Sequence, residues 1–77
     1  MANYDMEDAI EIAEKFLEEH HSTVDLKSAD LEGGVWYVIF DVGFLSDQLK
    51  EVKVDAGSGK ILGYTNVEEE DDDDDDD

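Results

Sequence analysis

The run from Val35 to Phe44 constrains the fold of this 77-residue chain more than any other segment. It is rich in β-branched and aromatic residues, which favour an extended backbone on a partly buried sheet. Successive side chains of a strand point to opposite faces, so one face receives Trp36, Val38, Phe40 and Val42. The opposite face receives Tyr37, Ile39 and Asp41. We therefore predict a central strand whose first face packs against the rest of the core.

A second periodicity precedes this strand and predicts one amphipathic helix over residues 5–21. The residues that recur at spacings of three and four are Met6, Ala9, Ile10, Ala13, Phe16, Leu17 and His20. Asp5 is the predicted N-cap, and Asp8 stands where it would complete a capping box. We interpret His20 and His21 as last-turn residues that suit the helix dipole, because neighbouring helix positions do not face one metal ion.

Turn residues divide the rest of the chain into further strands. The predicted segments are a strand over 23–31, a Gly-Gly turn at 32–34, the central strand over 35–44, a connection over 45–48, a strand over 49–55, a turn over 56–59 and a strand over 60–64. In the third strand we expect Val52 and Val54 to face the core, with Lys50, Glu51 and Lys53 available to solvent. The sequence thus predicts an α+β fold, with one N-terminal helix packed on an antiparallel sheet of three or four strands.

The charge is strongly negative and unevenly distributed, with a formal net charge of −19. Ten of the 24 acidic residues form an unbroken run at 68–77, which leaves 14 acids and five lysines on residues 1–67, a net charge of −9. We predict a folded domain over 1–67 and a disordered polyacidic tail over 68–77, because contiguous carboxylates repel each other and bury nothing. Nucleic acids and anionic membranes should be repelled, since both bind through clusters of Lys and Arg.

Composition also limits the cellular location and the kinds of reactive site that we expect for the protein. The absence of cysteine excludes disulfides, thiolate nucleophiles and cysteine-based zinc sites. Without a recognisable signal region or an apolar run long enough to span a bilayer, we expect a cytoplasmic monomer. No phosphate-binding loop or serine nucleophile elbow is present, and Gly57-Ser58-Gly59 is interpreted as a turn. We expect no catalytic residues and no enzymatic activity.

The segment from Val52 to Tyr64 resembles the PepSY domain family, which carries a strand, a Val-Asp-Ala step, a glycine-containing turn and then a basic residue with aliphatic residues. The corresponding step here is Val54-Asp55-Ala56, followed by Gly57. The leading helix and the central strand are also similar, so the resemblance covers roughly residues 6–65. It implies a helix on an antiparallel sheet that acts as a binding or inhibitory module. We do not extend it to peptidase inhibition, because we recognise no attached peptidase.

Acidic side chains near predicted turns suggest a divalent-cation hypothesis, since Ca²⁺ prefers six to eight oxygen ligands in flexible geometry. The candidate ligands in the folded part are Asp41, Asp47 and Asp55. The candidates in the tail are Glu68, Glu69, Glu70, Asp71, Asp72, Asp73, Asp74, Asp75, Asp76 and Asp77. The chain lacks the calcium-loop pattern of an EF-hand, so a specific site would require the folded residues and the tail together.

The sequence leaves two main functions open. The first is a non-enzymatic binding or regulatory module that contacts a basic protein surface. The alternative is a calcium-binding protein that uses the acidic tail and the acidic turn residues, with Ca²⁺ as its one candidate cofactor. A tail that only improves solubility, or an acidity that reflects a saline habitat, would account for the charge without either function.

Overall fold

One helix packs on one face of a four-stranded antiparallel sheet, which confirms the predicted α+β fold. The computed structural model describes residues 3–43 and 48–67. Its elements are α1 (Met6–Glu18), β1 (Asp25–Glu32), β2 (Val35–Asp41), β3 (Leu49–Asp55) and β4 (Ile61–Val67). The strands lie in the order β1-β2-β3-β4, so each strand pairs with its neighbour in the chain. The predicted polyacidic tail at 68–77 lies outside the described residues.

The predicted capping box at the start of α1 is confirmed. The amide of Asp8 donates to Oδ1 of Asp5 over 3.0 Å, and the amide of Asp5 donates to Oδ2 of Asp8 over 3.3 Å. The predicted helix end at residue 21 is wrong, because α1 ends at Glu18. The amides of His20 and His21 both donate to the carbonyl of Leu17, each over 2.9 Å. Residues 18–22 are all polar, so a further turn would bury no apolar side chain.

The core lies between α1 and the face of the sheet predicted from the alternation in β2. Its buried residues are Ala9, Ala13, Leu17, Trp36, Val38, Phe40, Val42, Val52, Val54 and Ala56. Ile10 and Phe16, which were predicted on the same helix face, are only partly buried and flank the core. The small side chains of Ala9 and Ala13 at the centre let the helix backbone approach the sheet, which moves the bulkier residues to the sides.

The hairpin between β1 and β2 uses the predicted Gly-Gly turn. Gly33 has φ +58° and Gly34 has φ +80°, a conformation that glycine adopts without steric cost. Two such residues form the tight turn whose twist matches the twist of the flanking strands. This turn sets the register, in which Glu32 pairs with Val35 and Leu31 pairs with Trp36.

Several strand boundaries differ from the prediction. β1 begins at Asp25 and ends at Glu32, slightly later than expected. β2 ends at Asp41 rather than Phe44, and residues 44–47, with most of the predicted connection, lie outside the described residues. β4 continues to Val67, three residues beyond the prediction, because Val67 still pairs with Leu49 of β3. Thr65 and Asn66, which follow Tyr64, are polar, so a prediction based on apolar residues ended the strand too early.

The predicted orientation of the third strand is partly wrong. Val52 and Val54 are fully buried against the helix, as expected. Lys50 was expected to face solvent with Glu51 and Lys53, yet it pairs with Phe40 and so lies on the helix side of the sheet. Its ammonium group bonds to the side chain of Asn66 and lies 5.7 Å from the centre of the Tyr64 ring. Alternation requires this placement, since residues 50, 52 and 54 share one face.

Candidate functional site

Asp41, the first folded candidate ligand, lies at the end of β2 and stabilises the connection to β3. Its Oδ1 accepts hydrogen bonds from the amides of Gly43, over 2.9 Å, and Gln48, over 3.1 Å. These two amides stand on opposite sides of the connection, so one carboxylate oxygen holds both ends together. The amide of Val42 also donates to the carbonyl of Gln48 over 2.9 Å. Asp41 therefore has a structural role that its sequence position alone did not reveal.

Asp55, the second folded candidate, lies at the end of β3 and shapes the turn into β4. Its Oδ2 accepts hydrogen bonds from the amide of Ser58, over 3.0 Å, and from its hydroxyl, over 2.6 Å. The bond from the Ser58 hydroxyl is the largest of the influences that hold the pKa of Asp55 below its ordinary value of 3.8. Asp55 is therefore ionised at neutral pH. The arrangement also confirms that Gly57-Ser58-Gly59 is a turn, because the Ser58 hydroxyl serves the turn itself.

Asp41 and Asp55 lie at opposite ends of the sheet. Asp41 pairs with Leu49, the first residue of β3, whereas Asp55, the last residue of β3, pairs with Val35. Six residue steps at ~3.3 Å each separate the two ends by about 20 Å. One ion cannot bind both carboxylates directly at that separation. Val67, the residue before the acidic run, pairs with Leu49 and so lies at the Asp41 end.

The remaining candidate ligands, Asp47 and residues 68–77, lie outside the described residues. Within residues 3–43 and 48–67, no three Asp, Glu or His side chains form a group suited to a metal ion. The cation hypothesis therefore stays a prediction. What the geometry adds is that Asp41 and Asp55 cannot supply one site together, and that each carboxylate already accepts hydrogen bonds from its own turn.

The sheet face opposite the helix forms a second surface, which we name the outer face. Strand register places five partly buried apolar residues on it, namely Val35, Tyr37, Ile39, Leu49 and Val67. It also carries six acids, namely Asp25, Asp30, Glu32, Asp41, Glu51 and Asp55, together with Lys53, which pairs with Tyr37. In the described part of the chain, α1 contacts the other face and no second layer covers this one. The outer face is therefore a mixed apolar and acidic surface.

The two edges of the sheet differ in charge. β1 contains Asp25, Lys27, Asp30 and Glu32, whereas β4 has no charged residue from Ile61 to Val67. Leu62 of β4 is 56% exposed and Tyr64 is 41% exposed. A strand was predicted here from the sequence, but its position at the edge of the sheet was not. Seven consecutive uncharged residues mark the strand, but the run from Gly33 to Phe40, which contains most of the central strand β2, is longer, so the absence of charge alone does not identify an edge.

A tertiary contact at Tyr4 was also missed. The amide of Tyr4 donates to the carbonyl of Ala56 over 2.7 Å, and the indole Nε1 of Trp36 donates to the carbonyl of Tyr4 over 2.9 Å. A Cβ atom added at Gly59 would lie 2.6 Å from the Tyr4 ring, so this ring lies directly on the β3–β4 turn. The sequence signals were only an aromatic residue before the N-cap and a glycine in the turn.

Among the described residues no polar or charged side chain is buried, so the core contributes no protected titratable group. No helix of this part of the chain has the length and apolar character that a membrane crossing requires. The features that remain for function are the outer face and the edge of the sheet formed by β4.

Comparison with known proteins gives one match. The sequence model of the family described as "PepSY: Peptidase propeptide and YPEB domain" matches residues 4–65, a range that includes α1, all of β1 to β3 and most of β4. No curated protein and no solved structure matches the chain.

Proposed function

The chain belongs to the PepSY family, and we propose that it is a non-enzymatic regulatory module that acts by binding a protein partner. Membership of the family indicates a propeptide-type or regulatory module, a class that is generally non-catalytic. The proposal adds the mode of action, which is contact with another protein, and the chemistry of that partner, which is basic and partly apolar.

The observation that carries the proposal is the outer face of the sheet. Tyr37 and Ile39 lie at its centre, partly buried by neighbouring side chains rather than by a second layer. Removing apolar area of this kind from water favours association by about 25 cal/mol for each Å², before the costs of ordering and desolvation are subtracted. Aromatic residues such as Tyr37 contribute most at the centre of protein interfaces, because they offer a large, rigid surface with a polar end.

Charge supports a basic partner. On the outer face Tyr37 pairs with Asp30 and Lys53, and Ile39 pairs with Ser28 and Glu51, so acids outnumber the lysine around the apolar centre. The domain over 1–67 carries a net charge of −9, and the run at 68–77 adds ten acids. Complementary charge raises the association rate and suppresses wrong partners more than it raises affinity. A partner with lysine or arginine around an apolar centre would therefore bind faster than a neutral one.

The pKa of Asp55 supports a structural role for this residue rather than a catalytic one. A general acid or base needs a pKa near the working pH, which burial or a like charge commonly provides. The hydrogen bond from the Ser58 hydroxyl, the largest of several influences, lowers the pKa of Asp55 and so moves it away from neutrality. Asp55 acts in this arrangement as a turn residue rather than as a proton carrier.

The experiment is a selection of strand-length peptides from a random library against the full chain. An excess of a free peptide with the sequence of residues 68–77 is present throughout, so that binding to the acidic run alone is removed by competition. We expect selected peptides that combine Lys or Arg with apolar residues and that bind saturably. Each is compared with a scrambled peptide of the same composition, which should bind less tightly. A selection in which scrambled peptides bind equally well would contradict the proposal.

A further inference from the structure

In the part of the chain that the structure describes, β4 is an edge strand, and its own residues lack the usual protection. An edge presents a row of backbone N–H and C=O groups that can pair with another strand, and natural proteins block such edges with charges, prolines or bulges. β1 is blocked, because it contains four charged residues and its register is irregular between Leu26 and Ser28. β4 contains no charge and no proline, and its one irregularity, at Leu62, leaves residues 63–67 in regular register.

We propose that β4 is the surface at which an extended segment of a basic protein partner pairs, adding a further strand to the sheet. The inference rests on the proposed function, since it names the surface by which the module binds its partner. Main-chain hydrogen bonds provide affinity in this mode, and alternate side chains of the added strand provide specificity. A strand added at β4 would also extend the outer face by one strand. The outer face and the β4 edge therefore belong to one binding mode.

The side chains along β4 match a strand with one apolar side and one basic side. On the helix side, the ring of Tyr64 packs against Phe16 with their centres 5.1 Å apart, and Lys50 bonds to Asn66. Tyr64 is thereby held in place while 41% of its surface stays exposed to solvent, where an added strand could contact it. On the outer face, Thr65 is next to Glu51 and Gly63 is next to Lys53, whereas three of the six acids of that face lie on β1 at the opposite edge. Apolar residues of the added strand would extend the row at Tyr64, and a lysine beside Thr65 would lie on the same face as Glu51.

A second copy of this chain is a poor occupant of the same edge. Each copy carries a net charge of −19, and ten of its acids directly follow β4. Like charges brought together across an interface weaken association. Charges placed next to an apolar strand act as gatekeepers that prevent self-pairing. The same ten acids attract a strand with lysine or arginine, so the charge pattern selects a basic partner and opposes homodimers.

The test uses the full chain and a synthetic, end-blocked peptide in which Val and Lys alternate, at a salt concentration that screens contacts with the acidic run. Two further peptides carry N-methyl groups on alternate residues, one on the Val set and one on the Lys set. The charge and the side chains of the peptide are unchanged. Because the N–H groups of alternate residues point to the same edge of a strand, each isomer loses the N–H donors of one edge of the peptide. Pairing at β4 uses one edge only, so one isomer should lose about tenfold or more in affinity and the other should retain it.

Matched substitutions then locate the edge. Leu62 of β4 is 56% exposed and Leu31 of β1 is 53% exposed, so Leu62→Glu and Leu31→Glu add the same charge at equally exposed sites on the two edges. Electrostatics alone predicts tighter binding of the basic peptide by both variants. Pairing at β4 predicts weaker binding by Leu62→Glu only, because a charged side chain within an edge strand opposes the addition of another strand there.

The outcomes separate the two proposals. Loss of affinity in Leu31→Glu but not in Leu62→Glu, or equal affinity of both N-methyl isomers, overturns the assignment to β4 and leaves a protein-binding function intact. Failure of the Val and Lys peptide to bind saturably also overturns the assignment. Failure of the library selection described above overturns the proposed function itself.

Discussion

The indole Nε1 of Trp36 donates a hydrogen bond to the backbone carbonyl of Tyr4 over 2.9 Å. This bond joins the segment before α1 to the central strand of the sheet, across 32 residues of sequence. The Tyr4 amide donates in turn to the carbonyl of Ala56 over 2.7 Å, and the Ala56 amide donates to the carbonyl of Gly34 over 2.9 Å. The start of the helix and two hairpin turns are thus held together at one corner of the domain.

Gly59→Ala tests this corner. Gly59 has φ +78°, and its added Cβ would lie 2.6 Å from the Tyr4 ring, so the substitution should strain the backbone and displace the ring. We expect a loss of about 2–3 kcal/mol in the free energy of unfolding, measured by urea denaturation. Gly34→Ala is the matched control, because Gly34 has φ +80° but nothing within 4 Å of an added Cβ. Equal losses in the two variants would show that the contact with Tyr4 contributes nothing.

Phe40→Ala tests the assignment of the two sheet faces. Phe40 is 1% exposed on the helix side, whereas its neighbour Ile39 is only partly buried on the outer face. Truncating a fully buried phenylalanine costs about 3–5 kcal/mol, a large share of the stability of a small domain. We expect Ile39→Ala to cost clearly less in the same urea experiment. The reverse order would mean that Tyr37 and Ile39 face the core.

The Asp55–Ser58 turn should make stability depend on pH in the acid range. The pKa of Asp55 is lowered by the Ser58 hydroxyl first, so the folded state releases this proton more readily than the unfolded state does. The stabilisation is complete above the ordinary value of 3.8 and declines as the pH falls below it, through the lower pKa of the folded state. NMR titration should place the Asp55 pKa below 3.8, and Ser58→Ala should raise it. An unchanged pKa in that variant would contradict this cause.

Calcium titration tests the cation hypothesis. Asp41 and Asp55 lie at opposite ends of β2 and β3, and each accepts hydrogen bonds from its own turn. We therefore expect Ca²⁺ and Mg²⁺ to cause similar amide shifts that salt suppresses, with no change in Asp55→Asn. Saturable shifts at Asp41 or Asp55 that calcium produces and magnesium does not would contradict this expectation and establish a site.

The sequence predicted the features that depend on local periodicity. The alternation from Trp36 to Val42 identified the buried face of β2, because one face of a sheet covered by a helix must be apolar. The capping box at Asp5 and the Gly33-Gly34 turn were also predicted, since both depend on residues within a few positions of each other. The end of α1 was not predicted correctly, because the polar residues after Glu18 are compatible with either a helix or a turn.

Features that depend on distant pairing were missed. Antiparallel strands reverse direction at each hairpin, so turns that follow successive strands lie at opposite ends of the sheet. Asp41 and Asp55 were each recognised as residues near a turn, but their positions at opposite ends of the sheet were not recognised. The contact of Tyr4 with Gly59 joins residues more than fifty positions apart, and no repeating pattern marks it. The edge position of β4 depended likewise on the order of all four strands.

Amide hydrogen exchange in β4 is the most direct test of the central claim, which is that this module binds a protein segment along that edge. The exchange rates of the full chain are compared with and without a saturating amount of the alternating Val and Lys peptide. The account predicts slower exchange for amides within Ile61–Val67, because outward N–H groups gain a hydrogen-bond acceptor, and unchanged exchange within Asp25–Glu32. Unchanged exchange in β4 while the peptide is bound, or slowing confined to β1, would contradict it.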